Sequence, residues 1–113
     1  SVYYPGSTIR KIKELKQELM DSLDTRYSLA EWAVCYGLSL TTMKDCFKAI
    51  YGKTIYAFQK EYKIQMAAQL LLTTQLSISE IAGKIGYSNP NKFSSAFRSI
   101  IGMSPREYRN AKK

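Results

Sequence analysis

The side chains best equipped for chemistry fall into two short polar sets. Thr41, Lys44, Asp45 and Lys48 recur at helical spacing, and Asn91, Lys92, Ser94, Ser95 and Arg98 do so again about fifty residues later. Hydroxyl, amide, ammonium and guanidinium groups arranged this way hydrogen-bond to base edges and phosphates rather than pairing a nucleophile with its base. The chain has no histidine, which removes imidazole general-base chemistry, Ser-His and Cys-His nucleophiles and most zinc sites. It also has no glycine-rich phosphate loop and no convergent acid pair, so no enzyme, cofactor or metal is expected. Cys35 and Cys46 lie far from CxxC spacing, among apolar residues, and read as buried free thiols in a reducing cytoplasm.

Seventeen Lys and Arg against nine Asp and Glu leave a net charge of +8, which favours a polyanionic partner. The excess is uneven. Residues 1–26 carry five basic and four acidic side chains and residues 27–113 carry twelve and five, so the partner should meet the later part. With 113 residues the chain makes one compact domain or two small ones, and no apolar run is long enough for a bilayer crossing. The opening stretch through Pro5-Gly6-Ser7 has neither a basic region nor an apolar core, so it is no export signal. Its composition is that of a linker, and residues 1–6 are expected to be the remnant of a longer chain.

The elements that must position these sets are helices. Apolar residues recur at three and four, and proline occurs only at positions 5, 90 and 105. A first helix with Ile9, Ile12, Leu15, Leu19 and Leu23 is expected from a Ser7 or Thr8 cap to about Asp24. Ser28 with Glu31, Ser77 with Glu80 and Ser104 with Glu107 are capping boxes that each open a short helix. Gly37, Gly52, Gly86 and Gly102 are expected to end helices. Ser39 caps a helix with an inner stripe of Leu40, Met43, Phe47 and Ile50; Asn89 or Ser88 caps another with Phe93, Phe97 and Ile100. Thr54 opens a longer helix to about Leu72, with Phe58, Tyr62, Met66 and Leu70 on one side and a length of roughly 27 Å. Trp32, Phe47, Ile50, Phe93, Phe97 and Ile100 are the expected core.

Two segments of the chain repeat. SLAEWAVCYGLS at 28–39 matches SISEIAGKIGYS at 77–88, and from Phe47 the match continues one residue later with Phe97, Arg98, Ile100, Gly102 and Ser104. One extra residue near Pro90 accounts for the slip. Capped helix, glycine turn, second helix and closing glycine, twice over, predict two helix-turn-helix units at 7–53 and 74–113, joined by a helix at 54–73. At about 100° per residue from Leu40, the first inner stripe centres near 320° and the opposite face holds Thr41, Thr42, Asp45 and Lys48, with Lys44 at its edge. The second opposite face holds Asn91, Lys92, Ser95 and Arg98, with Ser94 at its edge. Thr41 and Asn91 are expected at base edges. Lys48, Lys53, Arg98 and the helix caps at Ser28, Ser77 and Ser104 are expected at phosphates. Asp45 can accept from a cytosine amine or pair with Lys44 or Lys48, and the intramolecular pair is the expectation.

The segment IAGKIGYSNPNKFSSAFRSIIGMSPREYR at 81–109 resembles the signature of the AraC/XylS family of bacterial transcription regulators, in Ile81-Ala82, Gly86-Tyr87, Phe93, Phe97-Arg98, Gly102, Ser104-Pro105 and Tyr108-Arg109. The resemblance extends over roughly residues 7–109. It implies an all-α fold of seven helices, with both second helices entering successive major-groove segments of double-stranded DNA. By the same resemblance the base-contact positions fall on Thr41, Lys44 and Asp45, then on Asn91, Lys92, Ser94 and Ser95. It also implies a cytoplasmic, nucleoid-associated regulator, an activator more than a repressor, that touches RNA polymerase. Most members carry an N-terminal effector or dimerisation domain, and none lies in this chain. The family's first recognition helix often has Arg or another long polar residue where this chain has Asp45.

Two other classes fit parts of the pattern. A non-specific nucleic-acid binder shares the charge and would bind random duplex as tightly as any selected site. A protein-interaction module would use the near-neutral first helix and would show concentration-dependent sedimentation.

Overall fold

The structure, a computed structural model, describes residues 3–24 and 27–112. Seven helices and no strand lie among them: α1 (Gly6–Asp21), α2 (Leu29–Cys35), α3 (Leu40–Tyr51), α4 (Ile55–Thr73), α5 (Ile78–Lys84), α6 (Pro90–Ile101) and α7 (Pro105–Ala111). The chain divides between Gln59 and Lys60, inside α4, into two compact units. No helix is long and apolar enough to cross a membrane. Of the expected linker at 1–6, residues 1 and 2 lie outside the described residues.

Local sequence sets the helix ends. The Ser28, Ser77 and Ser104 hydroxyls accept from the Glu31, Glu80 and Glu107 amides at 3.1, 3.0 and 3.1 Å, and each carboxylate accepts from its serine N–H in return. Six amides that helix geometry leaves without partners are thereby satisfied. Gly37 and Gly86, at φ +64 and +96, turn the chain after α2 and α5. Beyond them, the Leu38 N–H donates to the Ala33 carbonyl at 3.0 Å and that of Tyr87 to Ala82 at 2.8 Å, the six-to-one bond of a glycine-closed helix. Thr54 accepts from the Ala57 amide at 3.0 Å and opens α4 as expected. At α1 the expectation fails: the helix begins at Gly6 behind Pro5 with no side-chain cap bond, and stops at Asp21, short of Leu23.

In the first unit α1 and α2 pack on α3. The core joins Ile12, Leu15 and Leu19 to Trp32, Ala33, Met43, Cys46, Phe47 and Ile55. In the second, α5 and α7 pack on α6, and the buried residues are Ile64, Ala67, Ala68, Leu71, Ile81, Ala82, Ile85, Phe93, Ala96, Phe97 and Pro105. The duplication reaches further than the sequence match. Ile12, Leu15 and Leu19 of α1 correspond, 52 residues on, to Ile64, Ala67 and Leu71 of α4, and all six are buried. Phe58 at the start of α4 meets the Phe47 ring edge-on at 5.6 Å, as Tyr108 of α7 meets Phe97 at 5.5 Å. Thus α4 closes the first core with its first turn and opens the second core with the rest.

That double duty explains why the expected stripe of Phe58, Tyr62, Met66 and Leu70 is only half-buried. The residues buried after the boundary are Ile64, Ala67, Ala68 and Leu71. A helix that serves two cores in succession has no single stripe for a period count to find. Three further expectations need correction. Ile50 and Ile100 are half-buried rather than core, since each lies in the last turn before the closing glycine and reaches only the margin. Leu40 is 39% exposed, because with Cys46 inside the buried arc of α3 centres near 290°, about 70° from Leu40. Cys46 is buried but Cys35, at the end of α2, is exposed.

Polar ties differ between the units. Tyr36 donates to Glu18 at 2.7 Å, whereas its counterpart in the second unit is the buried Ile85. Arg109 donates to the Leu71 and Thr74 carbonyls at 2.9 and 3.3 Å, satisfying the end of α4 from α7.

Phe97→Ala should cost about 3 to 5 kcal/mol and unfold the second unit; thermal unfolding identical to the parent would refute the burial. No atom lies within 4 Å of a Cβ built on Gly102, whose φ is +95. Gly102→Ala should therefore cost only the left-handed backbone, about 1 to 2 kcal/mol by chemical denaturation. The Glu80 and Glu107 carboxyls are held below the ordinary value of 4.5, chiefly by accepting from the Ser77 and Ser104 amides. A carboxyl lowered on folding adds stability that is full above its unfolded pKa and lost as pH falls through the folded one. Stability measured by denaturation should fall below about pH 4.5, and less steeply in Glu80→Gln.

Candidate nucleic-acid interface

Each second helix buries one narrow apolar arc. Met43, Cys46 and Phe47 of α3 and Phe93, Ala96 and Phe97 of α6 occupy equivalent positions and are at most 7% exposed. Opposite them, about 180° round the helix, stand Thr41, Asp45 and Lys48 on α3 and Asn91, Ser95 and Arg98 on α6, all six exposed. Counted from the caps Ser39 and Asn89 these pairs fall at the same steps, so the two faces share one register. The extra residue of the second unit, expected near Pro90, is Ser88, in the turn before Asn89. Asn89 accepts from the Asn91 and Lys92 amides at 2.9 and 3.4 Å, which fixes the first turn that carries Asn91.

The remaining site residues fall at the flanks. Lys44 and Lys92 are exposed, while Thr42 and Ser94 are half-buried. Lys53 follows Gly52 directly and is exposed. Arg98 reaches α7 and pairs with Glu107 at 3.2 Å. That carboxylate therefore serves the Ser104 cap and the recognition helix together. At Ser28, Ser77 and Ser104 the serine amides are occupied by their own capping boxes, so the amides open to a phosphate are those of the next two residues. In α7 the first of these is Pro105, which has none.

Asp45 departs from its expected pairing. Among the described residues neither Lys44 nor Lys48 forms an ion pair with it. A fully exposed pair gains about 0.2 to 1 kcal/mol and must immobilise two side chains, which leaves little to hold it. Lys44, Asp45 and Lys48 line an open hollow of about 390 Å³ with Leu29, Thr54, Ile55 and Tyr56. Tyr56, 69% exposed, was not singled out by its sequence. It lies one residue inside α4, and only the fold brings it beside Lys44, Asp45 and Lys48 of α3. Among the described residues no group of His, Cys, Asp and Glu could hold a metal ion. The two units differ in charge: residues 1–59 hold eight basic and six acidic side chains, and residues 60–113 hold nine and three.

A family model described as a helix-turn-helix domain matches residues 32–111. The chain is 31% identical over 111 residues to the transcriptional regulator ExsA of Pseudomonas aeruginosa, covering 94% of this chain and 40% of that protein. It spans less than half the length of such relatives. The C-terminal domain of AraT, a response regulator from Geobacillus stearothermophilus, superposes with a TM-score of 0.86 at 27% identity, over 89% of this chain and 84% of that one. The DNA-binding domain of AdpA, solved in complex with a target DNA, superposes at 0.85 and 25% identity, over 89% and 91%. With its duplicated capped units and these similarities, the chain belongs to the AraC/XylS family of transcription regulators, as the helix-turn-helix domain of that family.

Proposed function

We propose that this domain binds double-stranded DNA sequence-specifically, with α3 and α6 in adjacent major-groove segments, and regulates transcription. The observation that carries the reading is the shared register of two exposed polar faces, each backed by a saturated apolar arc. A major groove about 12 Å wide admits one α-helix, and short polar side chains let it approach the base edges. Thr41, Lys44 and Asp45 read bases from α3; Asn91, Lys92, Ser94 and Ser95 read them from α6. Lys48, Lys53, Arg98 and the capped ends at Ser28, Ser77 and Ser104 meet phosphates, which set position and not sequence.

Two readers on one duplex face stand about 10 bp apart, one helical turn. The net charge of +8 supports the sequence-independent part of the affinity. In the full-length regulator a further domain would supply effector binding or dimerisation, and a DNA-bound surface would touch RNA polymerase in activation. As a DNA-bound regulator it would act at the nucleoid, in the bacterial cytoplasm.

Selection from random duplexes followed by footprinting tests the proposal, and equal affinity for selected and random DNA would defeat it. If about six phosphates are neutralised, log affinity should fall with log salt at a slope near −5. Arg98→Ala should weaken binding to all duplexes alike and reduce that slope by about one. Asn91→Ala should cost about 1 to 3 kcal/mol on the selected site only; equal losses on random DNA would remove it from the base readers.

A further inference from the structure

We infer that Asp45 selects a G·C pair by accepting a hydrogen bond from the exocyclic amine of cytosine, so that the two units read unlike sequences. The inference rests on the DNA-binding proposal above. Asp45 is the only carboxylate in α3 and α6. It is exposed on the outward arc of α3, at the step that Ser95 occupies in α6. Among the described residues neither flanking lysine forms an ion pair with it, and it opens on the hollow beside Tyr56.

A carboxylate brought into a groove walled by phosphates is repelled at every sequence unless a donor receives it. Base edges in the major groove offer two such donors, the N4 amine of cytosine and the N6 amine of adenine. Beside the adenine amine lies N7, an acceptor that opposes the second carboxylate oxygen. Beside the cytosine amine lies a C–H edge, which does not. Lys44, one residue earlier and exposed, suits the guanine O6 and N7 of the same pair. Ser95 both donates and accepts, so the equivalent step of the second unit makes no such demand.

Selection from random duplexes, run on the chain itself, on Asp45→Asn and on Asn91→Ala, decides the matter. The parent should enrich one cytosine that Asn91→Ala retains and Asp45→Asn loses. Replacing that cytosine should weaken the parent about tenfold and Asp45→Asn hardly at all. Asp45→Asn should also bind random duplex more tightly, and it should melt like the parent because the side chain is exposed. Cytosine enriched equally by the parent and Asp45→Asn, or adenine at the position that depends on Asp45, would overturn the assignment while leaving DNA binding intact. If no version enriched any site, the DNA-binding proposal would fail and the cytosine assignment with it.

Discussion

A helix of twelve residues that must bury a narrow apolar arc cannot choose what it shows to solvent independently of what it hides. In α3 that arc is Met43, Cys46 and Phe47, and in α6 it is Phe93, Ala96 and Phe97. Close packing locks the rotation of each helix about its own axis, because turning it would lift a phenylalanine out of a filled core. The outward residues are then aimed by the inward ones. Thr41, Asp45 and Lys48, like Asn91, Ser95 and Arg98, owe their common register to the aromatic anchors behind them.

The duplication extends that logic to the whole chain. Each core receives an opening helix, a capped short helix, a second twelve-residue helix and a closing turn with an aromatic ring edge-on to the central phenylalanine. The boundary between the two units falls inside α4, so α4 supplies residues to each of them. The extra residue at Ser88 sits in a turn, where added length costs little and leaves the packed registers on either side intact.

Within this common frame the units have diverged in the groups that do not pack. Net positive charge is concentrated after Gln59 and Arg98 is tied to Glu107. Substitutions on an outward arc change little in stability, so reading faces can vary while cores persist.

Much was legible in the residues themselves. Capping boxes, turn glycines and apolar spacing act within one or two helical turns, so helix ends, the repeat and the polar faces follow from local physics. Four matters did not. The start of α1 had no side-chain cap to announce it, and the buried side of α4 changes between two cores, which no period count detects. The half-burial of Ile50 and Ile100 depends on where neighbouring helices end. That Asp45 forms no ion pair with Lys44 or Lys48, and that Tyr56 stands beside it, depends on which residues lie against α3. Sequence alone determined which polar side chains share the outward faces of α3 and α6, because their chemistry and helical phase are local. Tertiary packing decided which of them stand together and which are paired, because burial and pairing belong to surfaces that meet only after folding.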